Sequence, residues 1–506
     1  MLKRRLLSAA RPRLPPVARA IQRKPYSVEP KQPTKEEINT AGIQAEFANH
    51  AETAFRTGFN IFKIAAIGGV LAGLVAFGSW ELSHQYVEKM ALRAEDDEEV
   101  KKYQWNVSGE LWQGDASAGG TDPGLGSTGR QAVRAAWMAT HWNVNSQDVY
   151  ATSVADAVDA PSRQAIYYLG IAIAAAGKVE ASHLHPFTVA ELHNRTAGFY
   201  ERLGDTYLDA SKGHFEEAWR GFSGEGLRAA RVALRLGDLS FQQNQHEEAQ
   251  RWWRTAVELC QDTPATPLGP LSEPESVPTS LWAQRIIAST LVSLSAFYAQ
   301  TGKLSEAESF EESSLSFLRS IPSPDSITEA THPQALHALF LLQRSSILSI
   351  HLAEVFHAQK KPVLSSIQYL TLAANSSERV ARALTGLPLH QGIGALHDAP
   401  VPGGEDQIIP AFKASNSMDP VARRLYHDAK RTSAEAWNLL GVLYEQHEGP
   451  SSKTALLCYE RAVRWAGQAG GEGAVLGENE ATTEADWSVF WSNFQRAKGA
   501  SDEKRK

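Results

Sequence analysis

Cysteine is nearly missing from this chain. Cys260 and Cys458 are the only two among 506 residues, and neither sits in a C-x-x-C spacing. That argues against a disulfide framework or a cysteine-ligated zinc site, and both read as buried free thiols. Acidic residues are absent from the first 27 positions, MLKRRLLSAARPRLPPVARAIQRKPYS, which hold eight Lys and Arg. No continuous apolar core follows those charges, so a secretory signal does not fit. An acid-free, Arg-rich leader with Ser and Ala reads as a mitochondrial transit peptide ending near Tyr26/Ser27. Without residues 1–27 the formal net charge moves from −7 to −15, which leaves no second basic surface to support a nucleic-acid-binding tail. Strand-like alternation is also missing beyond about residue 131.

Catalytic signatures are lacking too. HEEAQ at 246–250 has no second histidine, and neither a G-x-S-x-G elbow nor a phosphate-cradling Walker loop occurs. His183 with His185, and His351 with His357, come without acidic partners at metal-ligand spacing. The expectation is a non-enzymatic protein with no cofactor and no metal.

One long apolar run is present, FNIFKIAAIGGVLAGLVAFGSW, Phe59 to Trp80. Twenty-two helical residues span roughly 33 Å, enough to cross a hydrocarbon core. Lys63 can snorkel at one end and Trp80 meets the far interface. Gly69 and Gly73 form a G-x-x-x-G that would let another membrane helix approach closely. If the leader directs the chain toward the matrix, residues 28–58 lie on the matrix side. The span 59–80 then stops in the inner membrane, and residues 81–506 face the intermembrane space. Residues 81–130 read as an acidic, then Gly-rich linker that cannot bury enough apolar surface to pack. Its GLGSTG matches G-x-G-x-x-G, but with no preceding strand it reads as a loop before the helix RQAVRAAWMATHW.

From 131 to 500 the pattern is helix after helix with an internal repeat. Trp437, Leu440, Gly441 and Tyr444, then Ala455, Tyr459 and Ala462, follow the tetratricopeptide (TPR) pattern with two extra residues in the turn. Tyr200, Leu203, Gly204, Tyr207, Ala218 and Phe222 repeat it with the same insertion. Leu236, Gly237, Ala249, Trp253 and Ala256 keep the unmodified spacing. Leu294, Tyr298 and Ala307 do as well, although Glu311 stands where an aromatic is expected. Phe356 and Tyr369 suggest a degenerate copy. The small residue after Leu lets the second helix cross closely, and each hairpin must stack on its neighbours to close its core. The expected fold is therefore all-α: a TPR helical solenoid with one N-terminal transmembrane helix. Two Pro- and Gly-rich insertions, 262–280 and 386–410, interrupt it as loops.

Such arrays present a groove lined by the first helix of each hairpin. The Lys/Asn clamp that grips acidic chaperone tails is missing: its positions hold Glu201 and Asp205, Leu234 and Asp238, Val292 and Ala296, Asn438 and Val442. The expected inward set is Glu201, Asp205, Leu234, Asp238, Phe241, Asn438 and Glu445, carboxylates mixed with apolar side chains that suit unfolded or basic segments.

The order of transit peptide, single span and TPR repeats resembles the adaptor subunit of the mitochondrial inner-membrane i-AAA protease, a fungal-type mitochondrial TPR membrane protein. The resemblance rests on architecture and repeat signatures. It implies an adaptor in protein quality control that binds misfolded proteins in the intermembrane space and delivers them to the protease. Its partners would be the i-AAA protease and other membrane subunits, client proteins and inner-membrane lipid, with no nucleic acid. A translocase-associated import receptor and an assembly scaffold for an inner-membrane complex are the alternatives.

Overall fold

Apolar residues recurring every three or four positions make helices, and among the described residues no strand occurs. The computed structural model describes residues 59, 62–63, 65–142, 154–262, 276–389, 400–467 and 484–503. The leader and the matrix-side segment expected over 1–58 lie outside these residues, as do most of the first insertion and the middle of the second. The chain divides into two units, 1–79 and 80–506.

Helix α1 runs Ala65–Ala91 and is long and apolar enough to cross a membrane. Val70, Leu71, Leu74, Val75 and Phe77 are all more than half exposed, which a helix in water does not sustain cheaply. The Lys63 ammonium sits 4.5 Å over the Phe59 ring. A Cβ placed on Gly69 or Gly73 would meet nothing within 4 Å, so that face is open.

Two short helices follow, α2 (Glu98–Lys102) and α3 (Trp105–Ser108), and then hairpins begin. Helix α4 (Gly126–His141) pairs with α5 (Val154–Ala176), α6 (Thr188–Arg202) with α7 (Leu208–Gly221), and α8 (Gly226–Gln242) with α9 (His246–Glu258). Next come α10 (Leu281–Gln300) with α11 (Leu304–Ser320) and α12 (His332–Ala358) with α13 (Val363–Leu384). After the one-turn α14 (Pro410–Lys413), α15 (Asp419–Glu448) pairs with α16 (Lys453–Trp465), and α17 (Glu484–Glu503) packs on the end. Each hairpin also packs on the next, which makes a helical solenoid. Helix α12 is a second helix of membrane-spanning length and composition, but 61% of its apolar window is buried within the array.

The glycine-beside-aromatic logic holds in two hairpins. A Cβ on Gly237 would lie 2.5 Å from the Trp253 ring, and one on Gly441 would lie 2.5 Å from the Tyr459 ring. Helix α9 therefore packs its indole directly on the α8 backbone, and α16 does the same to α15 with a phenol. Leu236, Ala249, Trp253 and Ala256 are fully buried around the first crossing; Leu440, Ala455, Tyr459 and Ala462 are buried around the second. Tyr444 is partly buried against the same core. Trp437 is buried and donates from Nε1 to Glu378 Oε1 at 2.7 Å. Glu378 also accepts from Arg461 at 2.8 Å and from the Trp465 indole, so this charge is buried but fully engaged.

The copy at 200–222 is different from the sequence register. Helix α6 stops at Arg202, and Gly204 follows in the turn with φ +89, a conformation that favours glycine. Leu203 and Gly204 thus end a helix instead of letting a neighbour cross it. Tyr200 stacks with Tyr207 and His214 on the outside of that turn. The close approach of this hairpin lies at its other end, where a Cβ on Gly221 would come 2.7 Å from that of Ala190. Ala218 and Phe222 do belong to its core.

In the α10/α11 hairpin, Leu294, Tyr298 and Ala307 are buried, and Glu311 is buried with them. Its Oε1 accepts from Ser295 Oγ at 2.7 Å, an oxygen that also meets His351 Nδ1 at 2.8 Å. Phe356 and Tyr369 meet edge to face at 5.5 Å between α12 and α13. Both cysteines are buried free thiols. Burial pushes the Cys458 thiol up to about 12, with Glu448 adding to the shift.

The segment expected to be an unpacked linker is instead built into the array. Val100 and Trp105 are buried in the same core as α12 and α13, and Asp122 is 4% exposed. Asp122 accepts from Gly124 N at 2.8 Å and from His185 N at 2.9 Å. A Cβ on Gly124 would fall 2.1 Å from the His183 carbonyl oxygen, so this glycine serves close approach rather than flexibility. The helix after it begins at Gly126, four residues before the expected start at Arg130.

Candidate functional site

A cavity of about 910 Å³ lies along the inner face of the array. Its wall takes residues from α4, α6, α8, α10, α12 and α15, together with the segment 90–118 that runs across it. This segment is a strap, held chiefly by its main chain.

Four arginines from successive hairpins donate to strap carbonyls. Arg285 on α10 reaches the Tyr103 oxygen at 3.0 Å and the Gln104 oxygen at 3.1 Å. Arg231 on α8 binds the Gly109 carbonyl, and Arg228 on the same helix reaches the Gly114 oxygen at 2.7 Å. Arg195 on α6 donates to the Glu110 and Leu111 carbonyls. Two strap indoles complete the contact: Trp105 lies under the Arg285 guanidinium at 3.7 Å and Trp112 under that of Arg195 at 3.8 Å. Trp105 also donates to the Pro333 carbonyl at 3.0 Å. The strap in turn caps α10, since the Gln104 amide oxygen accepts from Ser280 Oγ at 2.7 Å and Trp282 N at 2.9 Å. At the strap's start, Glu95 meets Ser415 and Asn416 reaches the Met90 and Ala91 carbonyls, which ties it to the turn between α14 and α15.

The groove is rich in guanidinium. Arg228, Arg231 and Arg235 fall at i, i+3 and i+7 of α8, one face of the helix. Glu191 is fully buried and pairs with Arg231 at 3.0 Å. Burial lowers the Arg195 pKa to about 10 against the raising effect of Glu110, and burial alone lowers Arg285 to about 9. Both still carry their charge at neutral pH. Burial alone would raise the Glu110 carboxyl, but the charges of Arg195, Arg202, Arg424 and Arg231 hold it below its ordinary value.

The expected inward residues are not brought together. Leu234 and Asp238 line the cavity, with Val292 beside them. Asp238 is committed within the fold: Oδ1 accepts from Trp253 Nε1 at 3.0 Å and Ser293 Oγ at 2.8 Å. Its pKa is raised by burial despite Arg235. Glu201 is paired with Arg235. Asp205 sits exposed in the turn after α6, and Phe241 packs among His246, Trp253 and Phe297. Asn438 accepts from Asn493 of α17 at 3.0 Å, and Glu445 accepts from Tyr459 at 2.8 Å and pairs with Arg496. Helix α17 thus covers both of the C-terminal positions. The arginines and the strap indoles lie outside the set expected from sequence; the three-four spacing of Arg228, Arg231 and Arg235 is the signal for them.

Among the described residues no group of three or more His, Cys, Asp or Glu is arranged for a metal ion. No family model matches the chain, and no curated protein matches it. Among solved structures, BtubC (BKLC) from P. vanneervenii is 16% identical, covering 62% of this chain and 88% of its own, with a TM-score of 0.31. An IFIT1 monomeric mutant solved with Gppp-AAAA is 10% identical, covering 76% of this chain and 87% of its own, at a TM-score of 0.23. Likeness at this level says nothing of family or function. The chain is a TPR-like helical solenoid with a candidate apolar helix, and that statement stands on the hairpins themselves.

Proposed function

We propose that this protein is a non-enzymatic, membrane-anchored adaptor whose groove binds polypeptide segments. The observation that carries the reading is the strap. The groove holds a stretch of chain through its carbonyl oxygens, using arginines from three successive hairpins. Every polypeptide offers carbonyls, so this mode of contact is indifferent to side-chain sequence and suits unfolded segments. Helix α1, with its exposed apolar face, supplies the anchor.

The finer proposal is a place beside the i-AAA protease of the mitochondrial inner membrane. There the array faces the intermembrane space and passes misfolded clients to the protease. It rests on the order of leader, span and repeats. Of the carboxylates expected to draw basic clients, Glu201, Asp238 and Glu445 are engaged within the fold and Asp205 lies on an exposed turn outside the cavity wall, so client affinity rests on main-chain and apolar contact instead. The test is affinity purification of the full chain after gentle detergent solubilisation. Co-purification of a membrane protease supports the adaptor. Recovery of a translocase or a respiratory complex, with no protease, would replace it with a receptor or a scaffold.

A further inference from the structure

Glu110 is the strap's own anion, and its setting points to a ligand. Its carboxylate is about a quarter exposed and lies 3.9 Å from Arg195, while the Arg195 guanidinium spends its best hydrogen bonds on strap carbonyls. Arg202, at the end of α6, and Arg424, on α15, both line the same cavity and both act on Glu110 through their charge. These two arginines are exposed, and neither makes an ion pair among the described residues. The other carboxylates of the cavity wall already have partners: Asp419 with Arg423 at 3.0 Å, Asp428 with Arg344 at 3.7 Å, Asp238 with Trp253 and Ser293, Glu95 with Ser415, and Asp115 with Ser117 at 2.7 Å. The Nε atoms of Arg231 and Arg344 are buried without a hydrogen-bond partner. The cavity therefore holds more donor capacity and positive charge than the strap satisfies.

We infer that the cavity beside the strap is a binding site for an acidic polypeptide segment, in which a partner's Asp or Glu carboxylates bridge Arg202 and Arg424 and compete with Glu110. The inference rests on the groove-binding reading above and names the chemistry of one class of partner. A carboxylate is favoured because a carboxylate already occupies the centre of the arginine cluster. The ~910 Å³ of open volume admits several residues of chain alongside the strap. Arginine forks bind carboxylates in a bidentate manner, whereas Glu110 reaches only one of them and at long range. Occupancy by Glu110 keeps the site from trapping every passing anion, and a partner carrying several carboxylates outcompetes it by number.

The experiment uses the full chain in detergent micelles and a fluorescently labelled Glu-rich decapeptide, with a Gln-rich decapeptide of the same length as control. Fluorescence anisotropy reads binding. The Glu-rich peptide should bind and weaken as salt rises, and the Gln-rich one should not bind. Arg202→Gln with Arg424→Gln should weaken binding about tenfold or more, the loss expected for charge-assisted hydrogen bonds. Both residues are exposed, so this variant should melt like the parent. Glu110→Gln should strengthen binding several-fold by removing the competitor. Equal binding of both peptides, no effect of the arginine changes, or tighter binding of a labelled RNA decamer would each overturn the inference. A denatured neutral protein serves as the second readout. If it binds the double variant as well as the parent while the acidic peptide shows no preference, only this inference fails. If it binds neither, the groove-binding reading fails as well.

Discussion

Replacing Trp105 by alanine should release the strap. The indole is 2% exposed, stacks 3.7 Å from Arg285 and donates a 3.0 Å hydrogen bond to Pro333. Removing a large buried aromatic costs about 3–5 kcal/mol. The lost stack and hydrogen bond lie within that range rather than adding to it, since Arg285 keeps its two strap carbonyls. About 4 kcal/mol of local stability is enough to raise the open population of the strap by roughly a thousandfold, at tenfold per 1.4 kcal/mol. The assay is limited proteolysis of the full chain in micelles, with the first cut mapped by mass spectrometry. When opening is fast relative to cleavage, the cutting rate follows that population. The Trp105→Ala chain should be cut first within residues 95–122, while α6 to α13 stay protected. Trp105→Phe keeps an aromatic face and loses the indole donor, and should cost about 1 kcal/mol. If Trp105→Ala leaves the strap as resistant as in the parent, the strap is held by something other than these contacts.

Further outcomes follow from other parts of the array. Glu311 is buried, and burial pushes its carboxyl up to about 8, opposed by the Ser295 hydroxyl and aided by Glu354 and Glu308. It stays protonated in the fold but ionises in the unfolded chain above the ordinary 4.5. Its contribution is therefore full below pH 4.5 and declines as pH rises to about 8. His351, the other group on Ser295, is pushed down to about 4 by burial and stays neutral across most of that window. Glu311→Gln should flatten the fall in urea stability between pH 5 and 8, on the order of a few kcal/mol; an unchanged slope would contradict this. Gly441→Leu should cost about 1–3 kcal/mol or more, because α16 places Tyr459 against that backbone, and Trp437→Ala about 3–5 kcal/mol. Calorimetric melts equal to the parent's would refute both. Added protease should degrade the array in mitoplasts but not in intact mitochondria; digestion in intact organelles would place it in the cytosol.

The hairpins were legible because their signals are local. At Gly237 and Gly441 the residue after Leu is small, and an aromatic sixteen or eighteen positions later lies on it. At Gly204 the same letters mean the opposite, since Leu-Gly also ends helices, and only the φ of +89 distinguishes the two uses. The strap was illegible for a different reason. Composition marks 81–130 as acidic and Gly-rich, but Trp105 and Trp112 find their partners at Arg285 and Arg195, far along the chain. The groove carboxylates misled for the same reason: Glu201 and Asp238 look free in sequence and are paired with Arg235, Trp253 and Ser293 in space. Long-range pairing decides which charges remain available, and in the cavity wall it leaves Arg202 and Arg424 without an ion pair among the described residues.

The central claim is that the groove binds unfolded polypeptide. The most direct measurement titrates one labelled model protein, folded and denatured, against the full chain in micelles at two salt concentrations. The denatured form should bind more tightly, and Trp105→Ala should change its affinity by altering the strap's hold on the groove. Equal binding of folded and denatured protein, or none of either, would contradict it and favour an assembly scaffold.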